Sequence, residues 1–288
     1  MSKQRSGFRA NSNASLPGVN RNMSKATLNE IGAIADVERI ATAWEAKFLD
    51  PGLGFPTIWY RGQGKVLEPQ PGILRPPFSP SCDHDESQTL PKLHRLRNKE
   101  RTLNRQFRRM SASLVPAGED RVFRYFLARH QGLPTRLLDW TLNPLAALYF
   151  AVSGDPGEDG VIFVLNPKGL GEPLDMRDDR IAQTVAAVFK DDEINFDAKI
   201  FAVIPDIFAG RMLQQGSCFT LHTPPLGLNS QKEFEFTAQK LPCLEKHVIP
   251  SRRKSDLLVS LRRFGVSQAT MFLDLDHVAN EIRQAWRV

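Results

Sequence analysis

Cysteine is scarce in this chain of 288 residues: Cys82, Cys218 and Cys243 are the three present, widely separated. That number and spacing exclude a disulfide framework and a cysteine zinc site, and favour a reducing compartment. Long apolar runs are missing as well. No stretch is long enough to cross a bilayer as a helix, and the Ser- and Asn-rich start lacks the apolar core of a signal peptide. A cytoplasmic protein without a membrane partner is the expectation. Three familiar signatures are also absent: a phosphate-binding loop, a complete dinucleotide glycine fingerprint and a Gly-x-Ser-x-Gly elbow. The segment Cys82-Asp83-His84-Asp85-Glu86 has metal-binding composition. It lies in a Pro/Ser loop with no second ligand set, so an exposed acidic loop is expected, and no metal site.

What the chain does have is a modest excess of positive charge, +6 overall. Such a surface suits polyanions, nucleic acid first among them, although a solvated excess of Arg and Lys explains it equally simply. Residues 1–25 are polar and basic, with Lys3, Arg5, Arg9, Arg21 and Lys25, and read as a flexible tail. Residues 26–288 read as one domain, with a motif core at 57–222 and a helical part at 251–286.

Helical spacing of Ile31, Ile34, Val37, Ile40, Ala41 and Trp44 predicts a helix from Ser24 to the Gly/Pro-rich run at 51–56. Thr57 to Tyr60 reads as a buried strand. Long and short helices follow at Leu90–Ser113 and Asp120–Gln131, then an extended Thr135–Trp140. Asn143 caps a further helix with Pro144 in its first turn. Strands are expected at Val161–Leu165, Ile200–Ile204, Cys218–Leu221 and His247–Ile249. Helices are expected at Arg180–Phe189, in a short piece ending near Gly216, from Ser251 to Gly265, and from Asp274 onward. The fold class is α+β: a single domain with a small central sheet flanked by helices.

The long helix carries an apolar stripe of Leu93, Leu96, Leu103, Phe107, Met110 and Leu114, interrupted by Glu100. A carboxylate on the core side needs a cationic partner, hydrogen-bond donors or a proton. Glu100 is therefore either half of a buried ion pair or a carboxylate lining a pocket. The rest of the helix is basic; it is either a solvated surface or, through Arg95, Arg101, Arg105, Arg108 and Arg109, the best candidate face for a phosphate backbone, and a protein partner is a separate expectation with no residues assigned.

A second polar cluster lies at His130 to Thr141, where apolar neighbours predict burial. Arg136 and Asp139 are three apart in an extended segment, point to opposite faces and should not pair with each other. Asp139 or Thr141 is expected to cap the following helix. His130 lies on an apolar helix face beside a turn, and Gln214 and Gln215 precede Gly216 as helix-end residues or amide donors. Arg61, at a strand end, suits a phosphate or carboxylate ligand through its planar fork, or is the partner of Glu100 or Asp139. Gly62 would let a ligand approach the backbone closely.

These residues together carry a resemblance. Tyr60-Arg61-Gly62-Gln63, Leu67-x-Pro69, Arg75, Glu100, the run from His130 through Thr135-Arg136-Leu137-Leu138-Asp139-Trp140-Thr141, Ala147-Leu148-x-Phe150-Ala151 and Gln215-Gly216-x-x-Phe219 resemble the FRG domain, over roughly residues 57–285. Tyr60 stands where the family name has Phe. FRG domains occur mostly in bacterial and phage proteins, which implies a toxin or phage-defence setting.

The order of Tyr60-Arg61-Gly62, Thr135–Thr141, Ala147–Ala151 and Val161–Leu165 is also similar to that of ADP-ribosyltransferases. That similarity implies an ADP-ribosyltransferase-like fold, NAD as cofactor and a transferase or glycohydrolase activity. Gln214-Gln215-Gly216 stands where the closing glutamate would be, so Glu100 would have to supply the carboxylate. Under this resemblance Glu100 and Arg61 are catalytic, and Gly62, Gln63, His130, Thr135, Arg136, Asp139, Trp140 and Gln215 bind substrate. Aromatic groups near Trp140 would stack the nicotinamide, and the basic surface would take a nucleic-acid acceptor. The alternative is a non-enzymatic nucleotide- or nucleic-acid-binding regulatory module.

Overall fold

The structure, a computed structural model, describes residues 30–48, 58–75, 78, 89–189, 199–223 and 241–286. The basic tail and the Cys82–Glu86 loop lie outside the described residues.

Its centre is a seven-stranded sheet in the order β4-β5-β6-β2-β1-β3-β7. The strands are β1 (Trp59–Gln63), β2 (Leu137–Thr141), β3 (Gly160–Leu165), β4 (Leu174–Asp175), β5 (Ile200–Ile204), β6 (Ser217–His222) and β7 (Leu244–Ile249). Every neighbouring pair is antiparallel except β4 with β5, so the sheet is mixed. The described helices are α1 (Ile34–Phe48), α2 (Thr89–Met110), α3 (Arg121–His130), α4 (Pro144–Val152), α5 (Asp179–Phe189), α6 (Gly210–Gln215), α7 (Lys254–Arg263), α8 (Gln268–Phe272) and α9 (Leu275–Trp286). The α+β class holds, with a larger sheet than expected.

Strand alternation divides the core. Tyr60, Ile162, Val164 and Ile249 point to one face, where α1, α4 and α7 cover them. Leu137, Val203, Phe219 and Leu221 point to the same face farther along, under α3 and α5. Trp59, Leu138, Trp140, Phe163 and Leu244 build a separate core on the opposite face. The helical face thus carries two helix groups with the middle strands between them.

Local signals explain the element ends. Asp120 caps α3 by accepting from the Phe123 amide, and Asn143 caps α4 by accepting from Leu145 and Ala146. The expected capping role for Asp139 is therefore corrected: Asn143 sits at the cap, and Asp139 is occupied elsewhere. Gly216 ends α6 in the left-handed region at φ 56°.

Three other expectations change. Among the described residues the first helix begins at Ile34, because Ile31 is drawn into the sheet edge, its amide donating to the Val248 carbonyl at 2.8 Å; the expected start at Ser24 lies outside them. On α2 the core-facing line runs through Leu96, Glu100 and Asn104, while Met110 and Leu114 are 76% and 82% exposed. A polar residue, Asn104, takes the inward position because its side chain donates to the Glu100 carbonyl. Finally, the helix expected from Ser251 starts with a 3-10 turn, Ser251–Arg253, before α7.

Gly62 shows why the sequence has no side chain there. A Cβ on it would lie 1.8 Å from the Ala147 carbonyl oxygen, so β1 and α4 pack backbone to backbone. The backbone that approaches Gly62 most closely is that of the helix.

Candidate functional site

A cavity of about 310 Å³ opens on the helical face between the two helix groups. Its floor is Tyr60 and Gly62 of β1, Asp139 and Thr141 of β2, and Ser217 and Phe219 of β6, all on one face by register. Arg129 and His130 at the end of α3 and Arg211 and Gln215 of α6 form one wall. Phe150 of α4 and Phe272 of α8 form the other, edge to face with centroids 5.9 Å apart.

The centre of the floor is a split in the sheet. β1 and β2 share a single register pair, Tyr60 with Thr141, and then diverge. Arg61 fills the gap: its Nη1 donates to the Asp139 carbonyl at 2.7 Å, which a continued ladder would have satisfied. Gln63 orients it, accepting from Arg61 Nε at 3.0 Å while its own amide donates to the Leu67 carbonyl. Gln63 itself is not part of the cavity lining; it acts on Arg61.

The Asp139 carboxylate takes Nε and Nη2 of Arg129, with Arg61 Nη1 3.9 Å away. Burial works to raise the Asp139 pKa, but the charges and hydrogen bonds of Arg129 and then Arg61 prevail, and it stays below its ordinary value. Burial lowers Arg61 to about 9, still protonated at neutral pH. Burial and the Arg211 charge lower His130, so its ring is neutral there. Arg211 donates to the His130 carbonyl at 2.6 Å. Among the described residues the lining therefore holds three guanidiniums, Arg61, Arg129 and Arg211, against one carboxylate, Asp139. Such a cavity attracts anions.

Several expected site residues stand elsewhere. Glu100 is fully buried and outside the cavity lining. Its carboxylate accepts from the Tyr125 hydroxyl at 2.6 Å and pairs with Arg136 at 2.8 Å. The Tyr125 hydroxyl in turn accepts the Arg136 amide at 3.0 Å. Arg136 and Thr135 are likewise buried away from the cavity, and Thr135 Oγ1 accepts from the Leu137 amide. Arg136 and Asp139 do not pair with each other and use different partners, as their spacing requires. Trp140 borders the cavity, but the residue is 3% exposed, belongs to the opposite core and donates its indole N–H to Thr220, so it is not a stacking surface. Phe150 and Phe272, both half-buried, are the rings of the cavity wall; Phe272 already stacks on His277, with centroids 4.1 Å apart, and has the Arg211 guanidinium 5.9 Å from its centroid.

Asp139, Arg61, His130 and Gln215 do converge on the cavity, and Gly62 borders it. Arg129 and Arg211 were missed. Arg129 is next to His130 in sequence, and that adjacency at the end of a helix facing a turn was the available signal. Nothing in the short α6 sequence singles out Arg211.

The basic face of α2 is as expected: Arg95, Arg105, Arg108 and Arg109 are exposed, and Arg101 is half-buried and donates to Asn98. No group of three or more His, Cys, Asp or Glu among the described residues could hold a metal. No described helix is long and apolar enough to cross a membrane.

Residues 56–159 match the family model of the FRG domain. This stretch of the chain carries an FRG domain. The match takes in β1, α2, α3, β2 and α4, so the β1 and β2 part of the floor and the Arg129 wall fall within the matched span, while α6, β6 and α8 complete the cavity from outside it. No curated protein and no solved structure matches the chain.

Proposed function

We propose that the FRG-domain cavity binds a nucleotide, NAD being the first ligand to test, with the phosphates on Arg61, Arg129 and Arg211 and an aromatic ring against Phe150. The observation that carries this reading is three guanidiniums converging beside one carboxylate and an aromatic pair. Arginine forks recognise phosphate oxygens in pairs, and aromatic faces take a base or nicotinamide ring. The cavity's size is at the lower end of small-molecule sites, about 300–1,000 Å³.

Transferase or glycohydrolase chemistry, implied by the resemblance to ADP-ribosyltransferases, needs a carboxylate near the ribosyl carbon. Within the cavity that group is Asp139, held ionised by Arg129; sealed behind Tyr125, Glu100 instead braces the segment before β2. In such a step the C1′–nitrogen bond breaks, its electron pair leaves with nicotinamide, and an acceptor oxygen bonds C1′ and releases its proton. The toxin or phage-defence setting belongs to this same proposal, with NAD loss in expressing cells as its readout. Simple binding without turnover is the regulatory alternative.

Calorimetric titration with NAD, ADP-ribose and nicotinamide tests the reading. NAD and ADP-ribose should bind, nicotinamide alone should bind far more weakly, and Arg211→Ala should weaken ADP-ribose by about 10- to 100-fold, one charge-assisted hydrogen bond. No heat with either phosphate-bearing ligand, or full affinity in Arg211→Ala, would sink it. Mass spectrometry of NAD incubated with wild type and Asp139→Asn then separates turnover from binding.

A further inference from the structure

A second concavity, of about 590 Å³, lies at the far end of α3, between α2, the turn before α3 and the end of α5. It is walled by Arg105 and Arg108 of α2, Arg121 and Arg124 of α3, and the rings of Phe107 and Phe189. Glu119 and Asp120 also line it, and Asp120 is committed to capping α3. Arg105 and Arg108 are exposed and make no hydrogen bond or ion pair among the described residues. Arg121 lies over the Phe189 ring at 5.1 Å.

Two features distinguish this hollow from an ordinary solvated surface. The described side chains of α2 include seven cations between Arg95 and Arg109, and their one acid, Glu100, is buried, so no exposed acid relieves their repulsion. The half-buried Phe107 and Phe189 rings also sit among the guanidiniums in the concave wall, Phe189 with Arg121 over one face. Charge alone would suit any polyanion. Charge with accessible rings suits a strand whose phosphates alternate with unstacked bases, because every base has a face to stack and the guanidiniums follow the backbone. A duplex hides those faces, and acidic side chains have none.

We infer that this concavity is a binding site for single-stranded nucleic acid, with phosphates on Arg105, Arg108 and Arg121 and a base against Phe189 or Phe107. It stands independently of the nucleotide cavity, since the two share no lining residue. α3 connects them, presenting Arg121 and Arg124 to one and Arg129 to the other.

The test is fluorescence anisotropy on the full chain with a labelled single-stranded oligouridylate, a duplex of equal length and a poly-glutamate peptide, across a salt series. The single strand should bind tightest, with a steep salt dependence. The double variant Arg105→Gln/Arg108→Gln changes two exposed side chains and should reduce the slope of log affinity against log salt by about 1.4, two phosphate contacts at about 0.7 each. Phe189→Leu keeps an apolar group and should weaken the single strand by about 5- to 150-fold, the stacking of one base. Phe107→Leu provides the same reading if the base lies there. Thermal unfolding confirms that each variant is folded. Equal binding of the duplex or of poly-glutamate overturns the inference, as does an unchanged salt slope or full affinity in both aromatic variants. Arg211→Ala should leave oligonucleotide binding intact, and Arg105→Gln/Arg108→Gln should leave ADP-ribose binding intact, so failure here is distinguishable from failure of the nucleotide reading.

Discussion

Glu100 and Arg136 are sealed together with Tyr125, and Arg136 is the residue that leads into β2. Replacing one member of a buried pair leaves the other charge without compensation, a loss of about 3–5 kcal/mol. Glu100→Gln should therefore lower stability by about that amount in denaturant unfolding, while the folded fraction keeps its affinity for ADP-ribose. A stable variant that loses ligand affinity or turnover would return Glu100 to the site. Gly62 makes a second residue-scale case. Gly62→Ala drives a methyl against the Ala147 carbonyl, and overpacking of this kind costs about 1–3 kcal/mol or more. A fall in thermal midpoint without new ligand behaviour is expected, because the defect is between β1 and α4. From sequence, Glu100 was legible as an inward carboxylate, but its partner was not, since periodicity gives the direction of a side chain and not what meets it. The glycine was legible as a close approach, but not that the α4 backbone is what meets it, for the same reason.

At the scale of elements, the long or strongly patterned pieces were readable and the short ones were not. β5 spans the expected Ile200–Ile204, and α4 follows from the Asn143-Pro144 cap and an apolar run. β4 has two residues and α8 has five, too few to show a period, although Ser267 and Thr270 form a capping box at the start of α8. The β2–β6 ladder carries an element-scale prediction. Trp140 donates to Thr220 at 3.1 Å, and Thr220 meets His222 at 3.0 Å. Burial, then the charges of Arg136 and Arg61, lower the His222 pKa to about 3, from an ordinary value of 6.5. Its neutral form belongs to the folded state, so the stability it lends is complete above pH 6.5 and is lost as pH falls from 6.5 toward 3. In that window unfolding takes up one proton, a slope of about 1.4 kcal/mol per pH unit. Denaturant unfolding at several pH values should show that slope reduced by one proton in His222→Gln; an unchanged slope would assign the acid sensitivity to other groups.

On the scale of the molecule, the sheet holds two helix groups on one face and the cavity occupies the seam between them. That seam brings together residues far apart in the chain, Arg61, Arg129 and Arg211, and such convergence depends on strand order, which the sequence did not reveal. The arrangement also predicts how the molecule opens. β3 is buried along its whole length between β1 and β7, whereas α9 has no buried residue and exposes Leu275, Ile282 and Trp286. In native-state hydrogen exchange, β3 amides should exchange only through global unfolding and α9 amides through far less costly local opening. A ligand in the seam adds a further term to any opening that separates its walls. At a concentration 100 times its Kd that term is about 2.7 kcal/mol, a slowing of about 100-fold. NAD or ADP-ribose should therefore protect the ends of α3 and α6 at Arg129–His130 and Arg211–Gln215, together with α8, and leave α9 unchanged. Protection confined to α2 and the start of α3 would instead place the ligand in the second concavity, because those elements line it and do not touch the seam.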